Sequence, residues 1–239
     1  MAYSSTVLFV PGAWLGGWSW LPVAARVAAT GRSVKTLTLP GLNPGDDPSG
    51  ITMEHACSFI VDEVERAGGD VVLVAHSGGG APAAAAAVRS SERVSRIVFV
   101  DAYVPVEGVG VNDEMPETLQ DFVREAVRAA PDGALRLPFG DFQQVMFPGV
   151  SPDAQRLLFE LFVPEPGRYL LDRLHDVDLV AAGVPATYIL AEDDTVGGLP
   201  LPGVTFARRA GVEPVSVPGG HMALMTHPNE VAAAVLAAL

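Results

Sequence analysis

A serine hydroxyl is a weak nucleophile until a base can take its proton and an acid can hold that base in place. Ser77 has the local setting for this chemistry. It ends the aliphatic run Val71-Val72-Leu73-Val74-Ala75-His76, and Gly78-Gly79-Gly80 follow at once, ahead of an alanine-rich segment from Ala81 to Val88 with strong helix propensity. Strand, sharp turn carrying a serine, then helix is the context that exposes a hydroxyl at a strand's C-terminal edge. The Gly-x-Ser-x-Gly pattern of a nucleophile elbow reads here as Ala75-His76-Ser77-Gly78-Gly79. Alanine replaces the first glycine, and it is still small enough for close strand–helix approach.

The base must come from five histidines. His221 has the best context, in the glycine-rich turn Val217-Pro218-Gly219-Gly220-His221 between a strand and the last helix. The acid is expected at the end of the preceding strand, where Ile189-Leu190-Ala191 runs into Glu192-Asp193-Asp194. Asp194 is preferred. Asp193, one residue away in register, and Asp101, at the end of the fourth strand, stay open as rivals. His76 adjoins the nucleophile, but neighbouring strand residues point to opposite faces, so its role is structural. His55 and His175 have no partner pattern, and His227 is read as a surface residue.

The elements that must position these groups form a regular alternation. Thr6–Val10, Ser33–Leu39, Val71–His76, Arg96–Ala102, Ala186–Glu192 and Val212–Pro218 read as strands, most of them apolar at nearly every position. Strands buried on both faces of a parallel sheet look this way. Helices are expected near Trp20–Thr30, Thr52–Ala67, Gly78–Arg89 and Pro228–Leu239. Thr52 with His55 makes a poor capping box, whereas Thr226 and Asn229 are better start signals for the last helix. The fold class is therefore α/β, a doubly wound, mostly parallel six-stranded sheet with helices on both faces.

The alternation breaks between about Val104 and Val180. Amphipathic segments (Thr118–Ala130, Asp153–Phe162, Arg168–Leu174) are separated there by proline- and glycine-rich joints, with no convincing buried strand. This reads as a helical cap, 104–180, inserted into a core of residues 1–103 and 181–239. It would lie over the C-terminal ends of the strands, where open α/β sheets bind ligands. Phe139, Phe142, Met146, Phe147, Phe159 and Phe162 would form its apolar interior. From the cap, Phe142 and Met146 are expected to line the substrate pocket, together with Trp14 and Tyr103 from the core.

The segment Val10-Pro11-Gly12-Ala13-Trp14-Leu15-Gly16-Gly17-Trp18-Ser19-Trp20 resembles the His-Gly-Ala-x-x-Gly-x-Trp-x-Trp stretch of one α/β-hydrolase branch. That branch holds plant methyl esterases, hydroxynitrile lyases and many bacterial esterase-like members. The elbow, the strand end Tyr188–Asp194 and Gly219-Gly220-His221-Met222 extend the resemblance along the chain, in the family's order of serine, acid and histidine. The resemblance implies Ser77 as nucleophile, His221 as base and Asp194 as acid, with the backbone N–H groups of Ala13 and Gly78 as the oxyanion hole. Three positions depart from the pattern. Pro11 stands in place of the histidine, Gly78 replaces a residue that is often bulky and should widen the pocket floor, and Met222 stands where the lyases carry a lysine. Lys35 is the only lysine in the chain and belongs to the second strand, which argues against cyanide chemistry.

Composition closes off other classes. A net charge of −13 without any Lys/Arg cluster repels a phosphate backbone, so no nucleic-acid partner is expected. The first residues lack a basic leader and no apolar run reaches eighteen residues, so neither a signal peptide nor a membrane span is expected. With Cys57 alone there is no intrachain disulfide and no cysteine-rich metal site, and the cytoplasm is the expected compartment. No dinucleotide fingerprint follows the first strand, so no cofactor and no metal are expected. The expectation is a serine hydrolase acting on a carboxylic ester, lactone or thioester of a small, mostly apolar molecule through an acyl-enzyme on Ser77. A non-hydrolytic relative (cyclase, lyase or epoxide-opening enzyme) and a slow-turnover ligand-binding receptor are the rivals.

Overall fold

The computed structural model describes residues 5–194 and 201–239. The reading that no leader precedes the chain involves residues 1–4, which lie outside the described residues. Six parallel strands form the main sheet: β1 (Thr6–Val10), β2 (Ser33–Thr36), β3 (Val71–His76), β4 (Val94–Val100), then β7 (Ala186–Ala191) and β8 (Val215–Val217) later in the chain. Their spatial order is β2-β1-β3-β4-β7-β8, every pair parallel. Strand β3 sits inside the sheet with all six residues buried, which accounts for its unbroken apolar sequence.

Several expected boundaries shift. The second strand ends at Thr36, although Leu37 still donates its N–H to Phe9 O at 2.8 Å. The fourth begins two residues earlier, at Val94, and ends at Val100. The last is three residues long, because Val212, Glu213 and Pro214 belong to the irregular connection before it. Strand ends carry little periodic signal, so such shifts of a few residues arise where turn chemistry takes over.

Helices α1 (Leu21–Ala28), α2 (Met53–Ala67) and α3 (Gly80–Arg89) precede the break in alternation. Helix α3 is buried from Gly80 to Ala87, and a face of alanines is what lets it pack closely. Helix α2 does begin with a full capping box, contrary to expectation. Thr52 Oγ1 accepts the His55 N–H at 3.3 Å, and His55 Nδ1 accepts the Thr52 N–H at 3.0 Å. An imidazole nitrogen replaces the usual Glu or Gln oxygen. Cys57, on the same helix, is fully buried, and burial pushes its thiol up to about 12. It is a small hydrophobe, not a reactive group.

Between β4 and β7 lie α4 (Glu117–Ala129), β5 (Ala134–Leu135), the single turn α5 (Phe139–Asp141), α6 (Pro152–Phe159), β6 (Glu165–Pro166) and α7 (Arg168–Leu171). The pair β5–β6 is antiparallel and was not foreseen, since two residues per strand carry no period. Phe142 is the centre of an aromatic cluster, with ring centroids at 6.0 Å from Phe139, 5.4 Å from Phe147, 5.2 Å from Phe159 and 4.9 Å from Phe162. Phe162 also meets Trp18 of the loop after β1 at 6.1 Å, fastening the segment to the sheet.

The chain closes with α8 (Gly203–Arg209), α9 (Ala223–Thr226) and α10 (Pro228–Ala238). Neither Thr226 nor Asn229 caps α10. His227 occupies the cap position without a side-chain bond, Pro228 supplies the first helical residue, and the Thr226 hydroxyl donates back to Met222 O at 3.3 Å. No described helix is long and apolar enough to cross a membrane.

Candidate active site

The turn after β3 carries Ser77 at φ +50°, in the left-handed region that side chains rarely adopt. Its neighbours explain how the chain sustains this. A Cβ on Gly79 would stand 2.0 Å from Pro11 O, and one on Gly80 would stand 2.1 Å from Tyr103 O. These two glycines let the turn press against the loop after β1 and the end of β4. Gly12 is equally constrained, since a Cβ there would come within 2.7 Å of Ser77 Cβ. Three chain segments thus converge on one hydroxyl.

His221 arrives from the turn after β8, where Gly219 takes φ +101°. Its Nε2 lies 2.9 Å from Ser77 Oγ and its Nδ1 lies 3.0 Å from Asp194 Oδ2. With the ring protonated on Nδ1, that N–H donates to Asp194 and Nε2 accepts from Ser77 O–H. The side chains of His221 and Asp194 are 1 % and 4 % exposed, so the relay is shielded from water. Burial works against the imidazolium. The hydrogen bond to Asp194 and the charges of Asp194 and Asp101 outweigh it, and the His221 pKa stands above its ordinary value.

The structure separates the three candidate acids. Asp193 points outward, its backbone N–H donating to Gly219 O at 2.9 Å. Asp101 is fully buried at φ +44°, with Oδ1 accepting the Ala191 N–H at 2.7 Å and Oδ2 without a partner among the described residues. Burial, then the nearby Asp194 charge, raises its pKa to about 7. It braces β7 just ahead of Asp194 and makes no hydrogen bond to His221. His76 is also buried, and its Nε2–H donates to His221 O at 2.8 Å, which places it behind the base as a support. Burial, then the adjacent His221, pushes its pKa well below the usual imidazole value, so it stays neutral.

Ala13 and Gly78 face each other across a small gap, a Cβ on Gly78 falling 3.6 Å from Ala13 N. The cavity they share is lined further by Leu39, Met53, Glu165 and Tyr169. Its volume is about 20 Å³, room for one water, so the bare glycine does not give the wide floor expected of it. The expected pocket residues divide. Trp14 follows Ala13 at φ +61° and is not among the residues lining this cavity. Tyr103 instead packs on Phe206 at 5.2 Å and donates its hydroxyl to Glu114, in a network completed by Arg209. Phe142 is buried in its aromatic cluster, and Met146 lines a separate groove with Gly219 and Met222.

Sequence reasoning missed Glu165. Its Oε2 accepts the backbone N–H of Trp14 at 2.7 Å. Two further bonds tie Trp14 to the segment between β4 and β7: the indole N–H donates to Leu135 O at 3.0 Å, and Val163 N–H donates to Trp14 O at 3.2 Å. The residue after Ala13 is therefore held at all three of its polar groups.

The model of the alpha/beta hydrolase family matches residues 7–234. This chain belongs to that family. Among curated relatives, the alpha/beta hydrolase is 29 % identical to a carbendazim hydrolyzing esterase of Nocardioides sp. (strain SG-4G), over 94 % of this chain and 96 % of that one. It is 35 % identical to methylesterase 7 of Arabidopsis thaliana over 41 % of this chain and 40 % of that protein. Among solved structures, an extracellular alpha/beta-hydrolase from a Paenibacillus species, described as sharing structural and functional homology with tobacco salicylic acid binding protein 2, superposes with a TM-score of 0.86. It is 24 % identical, with 97 % of this chain and 98 % of that one covered. In this alpha/beta hydrolase the position of the lyases' lysine is Met222, 1 % exposed, and Lys35 of β2 is paired with Glu63 of α2.

Proposed function

We propose that this alpha/beta hydrolase is a serine esterase that cleaves a carboxylic ester, lactone or thioester of a small, mostly apolar molecule. The observation that carries the reading is the unbroken relay Ser77 Oγ, His221, Asp194, with steps of 2.9 and 3.0 Å. Relatives named for ester hydrolysis support it, and the absence of a lysine near Met222 disfavours the lyase alternative.

Ser77 Oγ attacks the carbonyl carbon as its proton passes to His221 Nε2, and the carbonyl π pair moves onto oxygen. The resulting oxyanion is met by the N–H groups of Ala13 and Gly78, each such donor being worth roughly 3 kcal/mol to the transition state. Collapse expels the alcohol, which takes the proton from His221. Water then attacks the acyl-enzyme with His221 as base, releasing the carboxylic acid and restoring Ser77. Asp194 holds the ring and stabilises the imidazolium throughout. The partner is a small-molecule substrate, and the net charge of −13 disfavours anionic ones at long range. We assign the protein to the cytoplasm, the compartment that a single unpaired Cys57 suits.

Steady turnover of p-nitrophenyl butyrate, with Ser77 labelled by a fluorophosphonate probe, is the deciding measurement. Turnover that survives Ser77→Ala would overturn the serine mechanism.

A further inference from the structure

Glu165 is a buried carboxyl that the ester mechanism does not use. It is 4 % exposed and lines the cavity next to Ala13 and Gly78. Oε2 is occupied by the Trp14 N–H, and Oε1 meets no protein donor among the described residues. Among the described residues no arginine, lysine or histidine forms an ion pair with it. The elements packed around it (the loop after β1, Leu39, Met53 of α2, Val111 and the start of α3) bring no ionisable group to the cavity. Tyr169, from α7, is the one other titratable residue among the described residues that line the cavity. Its hydroxyl is engaged with Pro40 O at 2.7 Å and burial raises its pKa, so it stays neutral. The space beside Oε1 holds about one water, so it admits a single polar atom of a ligand and no larger group.

Resting on the esterase reading, we propose that Glu165 is a specificity residue whose free oxygen donates a hydrogen bond to an acceptor atom of the substrate. The acceptor is an ether, hydroxyl or carbonyl oxygen, or an unprotonated ring nitrogen, carried within a few bonds of the scissile carbonyl. A lone carboxylate in this cavity would be costly, so the neutral acid is the resting form and its proton sits on Oε1, since Oε2 already accepts. Burial, only partly offset by the Trp14 N–H, raises the Glu165 pKa to about 8, in keeping with that form. Sites built to hydrogen-bond one substrate atom reject analogues that lack it, because the buried group is then left unpaired.

The test compares isosteric ester pairs that differ by one ether oxygen: p-nitrophenyl methoxyacetate against p-nitrophenyl butyrate for the acyl side, 2-methoxyethyl acetate against butyl acetate for the alcohol side. The readout is the ratio of kcat/KM within a pair, which cancels general damage to the triad or the oxyanion loop. In at least one pair, Glu165→Leu should lower the preference for the ether by roughly three- to tenfold, the worth of one neutral hydrogen bond. Glu165→Gln keeps an N–H donor and should keep the preference. The wild-type preference should fall as pH rises through about 8 and that of Glu165→Gln should not. A preference unchanged by Glu165→Leu in both pairs overturns the proposal, as does a wild-type preference indifferent to pH. If the wild type cleaves none of the four esters and Ser77 takes no fluorophosphonate, it is the esterase reading that fails.

Discussion

Trp14 and Leu135 meet through a single hydrogen bond, indole N–H to carbonyl oxygen at 3.0 Å, that spans 121 residues of chain. It joins the loop bearing Ala13, the proposed oxyanion donor, to β5. Trp14→Phe keeps the ring and removes this donor, leaving a carbonyl without its partner. The variant should lose about 1 kcal/mol of stability by urea denaturation. Because Trp14 adjoins Ala13, kcat should fall several-fold while KM changes little. An unaltered kcat would mean that the oxyanion loop holds its shape without this tether.

Ser77 combines catalytic need with backbone strain. At φ +50° a serine costs of order 1 kcal/mol that a glycine would not. Ser77→Ala and Ser77→Gly should both abolish esterase turnover, yet Ser77→Gly should melt at a higher temperature than Ser77→Ala. Equal melting temperatures would show that the elbow is relaxed at this residue.

The three glycines after Ser77 are not equivalent. A methyl group on Gly78 finds only ordinary contacts at 3.6 Å, while on Gly79 it would stand 2.0 Å from a backbone oxygen. Gly78→Ala should fold within about 1 kcal/mol of wild type. Gly79→Ala should cost roughly 3 kcal/mol or more, since backbone cannot yield as a side chain does. Thermal denaturation of the pair separates these outcomes.

These contrasts show what the sequence could and could not disclose. Ser77 was legible because strand, glycines and helix are local signals within twenty residues. Asp194 and His221 were legible as strand-end residues, because the order of a doubly wound sheet brings consecutive strand ends to one edge. Glu165 was not. It lies in Pro164-Glu165-Pro166, which looks like a joint between helices, and its partner Trp14 is 151 residues away. Tyr103 failed in the other direction. Its place just past β4 suggested a pocket wall, but its hydroxyl is drawn off to Glu114 and Arg209 by a half-buried charge pair that no local pattern announces.

The pH dependence of turnover should identify the acid. His221 must be neutral to accept the Ser77 proton, so kcat/KM falls as pH drops through its pKa, which Asp194 and Asp101 hold above the ordinary imidazole value. Asp194→Asn removes the main support of the imidazolium. It should lower kcat by about 10³- to 10⁴-fold and move the acid limb of the residual activity to lower pH. Asp101→Asn should also move that limb down, with a much smaller loss of rate, whereas the exposed Asp193→Asn should stay within about twofold of wild type. A collapse in Asp101→Asn matching that in Asp194→Asn would reassign the acid.

Glu165 also makes a prediction about stability. Its pKa is about 8 in the folded protein against 4.5 when free. Between those values the folded state holds a proton that the unfolded chain releases, so stability falls as pH rises through this window. At about 1.4 kcal/mol per pH unit, the burden reaches a few kcal/mol once pH exceeds 8. Glu165→Gln cannot ionise and still offers an oxygen to the Trp14 N–H. The two proteins should therefore be close in stability near pH 4.5, and the glutamine variant should gain steadily up to pH 8, after which the difference levels off. Urea denaturation at pH 5, 7 and 9 measures it, and the comparison between variants removes the repulsion common to a chain of net charge −13. Parallel curves would show that Glu165 ionises as freely folded as unfolded, and its proton would then be no resident of the cavity.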